Sequence, residues 1–432
     1  MARIEAFKGV RYNQAAVGDL SAVVAPPYDV ISPEEQERYL EQHPCNVVRL
    51  ILPKEEGGKK YVLAAATLRR WLGDGILAQD DQLSLYAYQQ EFDALGQRLK
   101  RLGFTCLVRL EEFGKGSIFP HENTLAKPLE DRLNLMRAAR ANFDSVFGLF
   151  QDEEVDRILR AAIDRKPDAS AIDKDGVRSD LWQITDPDAI AKITDWLEPE
   201  RVVIADGHHR YSAALAYRNE MREQTGVPAH AESDAPYDYV MMTLVSMEDP
   251  GLVVLPTHRL VRNLLGFNAQ TFLARLGESF DVREVTDEQL TEAVQESGSH
   301  SFGLHLKGQS YAIKLKPSVH PQRAIESPGS DALKRLDVSV LHSLILERLL
   351  GIGAQQVASQ SNLSYTRDPA EAMKSVDRGE YQAFFLMNPT KVEEVKAVAA
   401  AGDKMPQKST FFYPKLLTGL VMRVMPRLDA SR

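Results

Sequence analysis

The sequence predicts a mixed α/β fold of α+β character, and three patterns carry that expectation. Ser84 to Phe92 and Arg98 to Arg109 read as two strands around Asp93-Ala94-Leu95-Gly96, a hairpin signature, and Ser301 to Lys307 with Ser310 to Lys316 repeat it around Gly308. Val202 to Ala205, a short continuous apolar run, is followed after a tight turn by the helix formers Ser212 to Met221. Ala383 to Met387 reads as a buried strand between the helical stretches Ala370 to Arg378 and Lys391 to Ala401. Hairpins interleaved with strand-helix units argue against a regular doubly wound sheet.

The remaining elements follow from local chemistry. Ala22 to Ala25 reads as a strand stopped by Pro26-Pro27, and Val47 to Leu52 as another closed by Pro53. Ser32-Pro33-Glu34-Glu35 has a helix start written into it: Ser32 as N-cap, Pro33 in the first turn and Glu35 closing a capping box. Tyr61 to Leu72 has a helical period and ends at Gly73-Asp74-Gly75. Asp152 to Asp164, Asp188 to Trp196 and Ala269 to Phe280 are expected helices, Tyr237 to Ser246 and Gly251 to Leu255 expected strands. Ser339 to Leu350 reads as a helix with Gly351 at its C-terminal cap.

Composition limits the function. The 432 residues are 44% hydrophobic and 26% charged, an ordinary globular balance, with a formal net charge of -9. No long basic run appears, so nucleic acid is not an expected partner. Two cysteines, Cys45 and Cys106, form no CxxC pair, which sets aside a disulfide framework and the usual structural zinc site. The first residues lack the pattern of a signal peptide and no stretch is long and apolar enough to span a membrane, so a cytoplasmic protein is expected.

The strongest chemical signal is Asp206-Gly207-His208-His209-Arg210 between the apolar run and the helix. A helix N-terminus offers backbone N–H groups and a partial positive charge to an anion. Gly207 permits close backbone approach, and Arg210, expected on an exposed first turn, has the fork geometry that phosphate oxygens match. A solvated strand-helix turn is the bland alternative, but two histidines and an arginine at one helix mouth favour phosphate binding. His121-Glu122-Asn123-Thr124 follows the flexible Gly114-Lys115-Gly116. Glu122 there has the chemistry of a general base or magnesium ligand and His121 that of a phosphate contact, against a capped turn with Thr124 as N-cap. Asp29, after Pro26-Pro27-Tyr28, sits at an expected strand end, where a turn or cap role is the simpler reading. Lys408-Ser409-Thr410 offers phosphate donors but is not a Walker A loop, since its glycines are missing. His258-Arg259, Asn46 and Arg49 read more simply as surface or cap residues, and His305 and His342 as structural. No His/Asp/Glu set has the spacing of a dedicated metal cage, so Mg2+ is expected to arrive with a nucleotide, through Asp206 or Glu122.

Gly207-His208-His209-Arg210-Tyr211-Ser212-Ala213-Ala214 resembles the Gly-Cys-His-Arg-Tyr-Ala-Ala motif of sulfiredoxins and the Gly-Glu-Arg-Arg motif of ParB proteins. Over nearly its whole length the chain resembles a large bacterial and archaeal family of unknown function related to free-serine kinases. The hallmarks are Pro26 to Ile31, His43-Pro44 with Asn46 and Arg49, His121 to Thr124, Asp206 to Arg210, and Met405 to Thr410 with Phe412, Pro414-Lys415 and Gly419. The resemblance implies a ParB/sulfiredoxin-like nucleotide-binding core from residues 1–53 and 196–250. Residues 54–195 would form an insertion carrying His121-Glu122, and 251–432 further C-terminal α/β layers whose tail returns to the pocket.

What the resemblance implies chemically is phosphoryl transfer from ATP, ADP or pyrophosphate to a small hydroxyl compound, L-serine above all, with Glu122 or Asp29 as base. Sulfinic-acid reduction is not expected, because His208 stands where that chemistry needs a thiolate. A ParB-like DNA clamp is not expected either, since no basic helix-turn-helix follows. A nucleotide-binding regulator and a nucleotide hydrolase are the rival functions.

Overall fold

The structure is a computed structural model that describes residues 2–122, 126–151, 154–198, 200–228 and 231–426. It is mixed α/β, as the alternation of patterns predicts, and divides into two compact units. The first contains residues 1–120, 124–253 and 414–432, and the second 121–123 and 254–413.

The first unit is built on a mixed sheet of nine described strands. In spatial order eight of them are Ile118–Pro120, Val202–Asp206, Val146–Phe150, Tyr239–Ser246, Gln97–Arg109, Leu85–Ala94, Arg178–Ile184 and Ala169–Ile172, and Ile4–Glu5 also pairs with Gln97–Arg109. Val202–Asp206 runs parallel to Ile118–Pro120 and antiparallel to Val146–Phe150, and the latter lies parallel to Tyr239–Ser246. Residues 54–195, read as an insertion, thus contribute six of these strands. Val202, Ile204, Phe104, Val146, Met242 and Leu244 form one buried core. The helix Ala126–Ala139 packs between Lys59–Gly73 and His208–Thr225.

The expected hairpin forms between Leu85–Ala94 and Gln97–Arg109 on a tight Leu95-Gly96 turn with positive φ at both residues, 53° and 74°. That conformation matches the twist of the paired strands. The capping box also forms: Ser32 Oγ accepts from Glu35 N at 3.2 Å, and Glu35 Oε2 accepts from Ser32 N at 2.9 Å.

Two expected strands do not form. Val48–Ile51 is a helical turn whose start is fixed by Asn46, its Oδ1 accepting from Val48 N at 3.0 Å. A short apolar run does not distinguish a buried strand from a buried helical turn, and here a side-chain cap decides. Leu20–Ala22 is a 3₁₀ turn capped by Asp19, and Ala25 keeps a single antiparallel bridge to Thr418.

The second unit has its own sheet, in the order Phe280–Val285, Gln309–Leu315, Ser301–Leu306, Ala383–Met387, His258–Val261 and Leu363–Thr366, with antiparallel pairing throughout. Leu260, Phe384 and Leu386 pack with Val294, Ala372 and Val376. The single helix expected from Ser339 is instead a helical turn, Asp337–Val340, running into a π-helical segment, Leu341–Glu347. Within the described residues no helix is long and apolar enough to cross a membrane.

Candidate active site

The strand Val202–Asp206 carries the first chemical group of the site. Its pairing with Val146–Phe150 shifts register between Ile204 and Asp206. Such bulges re-aim the side chain that follows. Gly207 comes next, at φ 85° and ψ 28°, and opens one continuous helix, His208–Thr225, four residues earlier than its helix formers suggest. The left-handed conformation favours glycine, and a second constraint is steric. A Cβ at residue 207 would lie 2.7 Å from Arg210 Nε and 2.8 Å from Cζ, because the guanidinium folds back over the turn.

Arg210 is therefore not the exposed residue expected at a helix N-terminus; it is 6% exposed. Its Nη2 donates to Asp206 Oδ2 at 2.5 Å, its Nη1 donates to the Ser145 carbonyl, and Asp144 Oδ2 lies 3.5 Å from Nη1. The other Asp206 oxygen accepts from Lys415 Nζ at 2.5 Å. Lys415 is held by its backbone: Gln90 Nε2 donates to its carbonyl at 2.9 Å, Arg101 Nη2 donates to the Pro414 carbonyl at 2.6 Å, and Leu417 N donates to Tyr88 Oη at 3.1 Å. The tail does return to this turn, but the lysine it brings to Asp206 is Lys415, where the sequence reading favoured Lys408. Pro414-Lys415 stood among the family hallmarks, and its apolar company, Leu416 and Leu420, was the signal that this stretch packs.

Asp29 also joins the group. Arg210 responds electrostatically to Asp144, Asp206, Asp29 and Tyr28. Arg132 lies over the Tyr28 ring with its Cζ 3.7 Å from the centroid, and its Nη1 donates to the Ile51 carbonyl at 2.9 Å. Arg210, Arg132 and Lys415 thus stand with Asp206, Asp144 and Asp29, and Arg132 is itself ion-paired with Asp131, its Nε donating to Oδ2 at 3.0 Å. A cavity of about 30 Å³ opens among Arg132, Asp144, Asn142 and Arg210. That is enough for one water.

The protonation states follow from these neighbours. Burial disfavours the charged Asp206 carboxylate, but Lys415 and Arg210 overcome it and hold its pKa well below the usual range. Arg210 is likewise desolvated, and Asp144 and Asp206 raise its pKa in spite of that. Asp144 goes the other way: burial outweighs Arg210 and Arg132 and raises its pKa, and its Oδ2 has no hydrogen-bond partner among the described residues. Sequence reasoning passed over Asp144, since nothing in Asn142-Phe143-Asp144-Ser145 marks a motif. His208 is buried and acts electrostatically on Asp206, while His209 is half-buried.

His121, Glu122 and Lys408-Ser409-Thr410 lie in the second unit, where they meet one another. His121 Nε2 and Thr410 Oγ1 share a buried hydrogen bond of 2.8 Å. The His121 carbonyl accepts from Met405 N at 2.7 Å, and Glu122 Oε1 accepts from Lys408 N at 3.2 Å. Ser409 is buried with its hydroxyl on the Pro406 carbonyl. Asn123 and Thr124, with the expected cap, lie outside the described residues. Asn46 is structural, its Nδ2 donating to the carbonyls of Ala22 and Val24 at 2.9 and 3.1 Å. No group of three or more metal-ligating side chains is present among the described residues.

Several solved structures are similar. A conserved hypothetical protein from Pyrococcus furiosus is 16% identical, with 69% of this chain and 89% of that chain covered and a TM-score of 0.33. A free serine kinase in complex with AMP is 15% identical over 68% and 83% of the two chains, with a TM-score of 0.35. SbnI with C-terminal truncation, from Staphylococcus aureus, is 11% identical over 73% and 85%, also at 0.35. These likenesses are too distant to assign chemistry. A search of curated proteins gives no match. The chain belongs to the family described as protein of unknown function DUF1015, whose model matches residues 4–339.

Proposed function

We propose that the protein is a small-molecule kinase that binds nucleotide phosphates at Asp206 to Arg210 and transfers a phosphoryl group to a small hydroxyl compound, with L-serine as the acceptor. On this reading residues 1–53 and 196–250 supply a ParB/sulfiredoxin-like nucleotide-binding core. The observation that carries the reading is the Arg210 guanidinium folded over Gly207 at a helix N-terminus, with Lys415 and Asp206 beside it.

Phosphoryl transfer needs cations for the phosphate oxygens and a carboxylate for the acceptor hydroxyl, and the cations and carboxylates gathered in this cluster support the reading. Arg210 and Lys415 neutralise Asp206. Phosphate oxygens would take over the same donors, as charge-assisted partners of equal geometry. Mg2+ arriving with the nucleotide would be held by Asp206 and by Asp144, whose buried Oδ2 has no hydrogen-bond partner among the described residues, and would offset phosphate charge. Asp29, which shares the unit and the electrostatic neighbourhood of Arg210, takes the acceptor proton, and Glu122 is its rival for that role.

The test is product formation with ATP, ADP or pyrophosphate as donor, with and without L-serine. O-phosphoserine formation, and donor turnover that requires the acceptor, is the expected result. Equal turnover with water as sole acceptor would make the protein a hydrolase, and binding without turnover a regulator.

A further inference from the structure

The second unit buries an arginine that the phosphate site does not use. Arg259, on the strand His258–Val261, is 1% exposed. Its Nη1 meets the Thr257 carbonyl and Met387 Sδ, the latter at 3.1 Å, and its Nη2 donates to the Lys408 carbonyl at 3.0 Å. These are neutral partners. Among the described residues Arg259 forms no ion pair, and Glu122 acts on it from beyond that range. A buried charge with no carboxylate in direct contact is costly to hold, so its presence needs a reason.

Among the described residues, Arg259 Nε, Tyr365 Oη and His342 Nε2 are buried with no hydrogen-bond partner. Tyr365 is the cross-strand partner of Arg259, and its ring centroid lies 5.5 Å from the guanidinium carbon. His342 comes from the π-helical segment Leu341–Glu347 and is held neutral, with a pKa near 3, by burial and by the charge of Arg259. Segments of this kind interrupt regular helices and often mark functional sites. His258, on the same strand, is also kept neutral by burial and Arg259, and its Nδ1 accepts from Met387 N at 3.1 Å.

We propose that Arg259, Tyr365 and His342 form a second ligand site that takes a small monocarboxylate. Arg259 supplies one positive charge and a donor at Nε, and Tyr365 and the neutral imidazole supply uncharged polar contacts. Arg259 is the one cation among these three groups, and with the Glu122 carboxylate acting on Arg259 and Tyr365 from a distance it matches no more than a single negative charge. A phosphate dianion would bring a second charge into a region that offers no second buried cation among these groups, at a cost that burial magnifies. The proposal stands independently of the nucleotide reading.

Thermal melting of the full chain in increasing sodium formate or acetate, against equal sodium chloride and against sodium phosphate, tests it. A specific site gives a saturable rise over the chloride control. Tyr365→Phe removes a hydroxyl that has no hydrogen-bond partner among the described residues, so it should leave unliganded melting nearly unchanged while raising the half-saturating carboxylate concentration about tenfold. Arg259→Met should abolish the response, and if that variant fails to fold, Tyr365→Phe decides. No saturable rise in the wild type, a response to phosphate alone, or an unchanged half-saturation in Tyr365→Phe would each overturn the proposal.

Discussion

Lys415 Nζ and Asp206 Oδ1 meet at 2.5 Å across 209 positions of sequence, while the other oxygen of the same carboxylate holds Arg210. One carboxylate therefore fixes both cations of the proposed phosphate site, and neither cation is moved without affecting the other.

Lys415→Met should show this coupling. Removing one partner of a largely buried ion pair costs about 3 kcal/mol where the remaining charge has no substitute, and somewhat less here because Arg210 stays. Chemical denaturation would read that loss, and calorimetric titration with ATP and ADP should show affinity weaker by about tenfold or more. Unchanged nucleotide affinity in a folded variant would remove Lys415 from the phosphate site.

Arg210→Ala should lower stability as well as binding, because the arginine is buried against Asp206 and Asp144. Asp206 keeps Lys415 and Asp144 keeps the more distant Arg132, so the loss is about 3 kcal/mol, the lower end for a broken buried pair. Gly207→Ala reaches the same guanidinium indirectly. Its positive φ alone costs about 1 kcal/mol or more, and the added Cβ must displace Arg210. A Gly207→Ala variant with wild-type melting and wild-type nucleotide affinity would contradict this account of the turn.

The base assignment is open to a direct comparison. Asp29→Asn should slow O-phosphoserine formation by about 10² to 10⁴ while nucleotide affinity, set by Arg210 and Lys415, barely changes. Glu122→Gln measured on the same day with the same donor separates the two carboxylates. Collapse in Glu122→Gln with near-wild-type rates in Asp29→Asn would transfer the role to Glu122, and full activity in both would end general-base catalysis by either.

Stability should fall in mild acid. Burial lowers the pKa of His258 to about 4 and of His342 to about 3, so both are neutral when folded and take up protons on unfolding below about 6.5. The unfolded chain binds more protons in that window, so the contribution is complete above about pH 6.5 and is lost as pH falls towards the folded values. At pH 5 the loss is about 2 kcal/mol per histidine, at about 1.4 kcal/mol per pH unit. Urea unfolding at pH 7.5 and pH 5 would measure it, and His342→Phe should flatten the difference. Equal stability at the two pH values would show that neither histidine is held neutral.

What the sequence determined by itself was local. The Ser32–Glu35 capping box, the Leu95-Gly96 turn, the strand Ala383–Met387 and the strand–Gly207–helix unit all depend on atoms a few residues apart, so composition and order specify them. The resemblance to the family, carried by scattered motifs, marks the turn at Asp206 to Arg210 from the sequence alone. Tertiary structure decided the rest. Val48–Ile51 is helical because Asn46 is anchored between Ala22 and Val24 and caps it, an outcome its β-branched run does not reveal. Asp144, an unremarkable residue in sequence, gains its meaning from burial beside Arg210. Lys415 rather than Lys408 reaches Asp206 because Gln90, Arg101 and Tyr88 clamp the backbone around it. Propensity acts over one or two turns of chain, whereas a contact between residues two hundred positions apart exists only once the sheet and its core have packed.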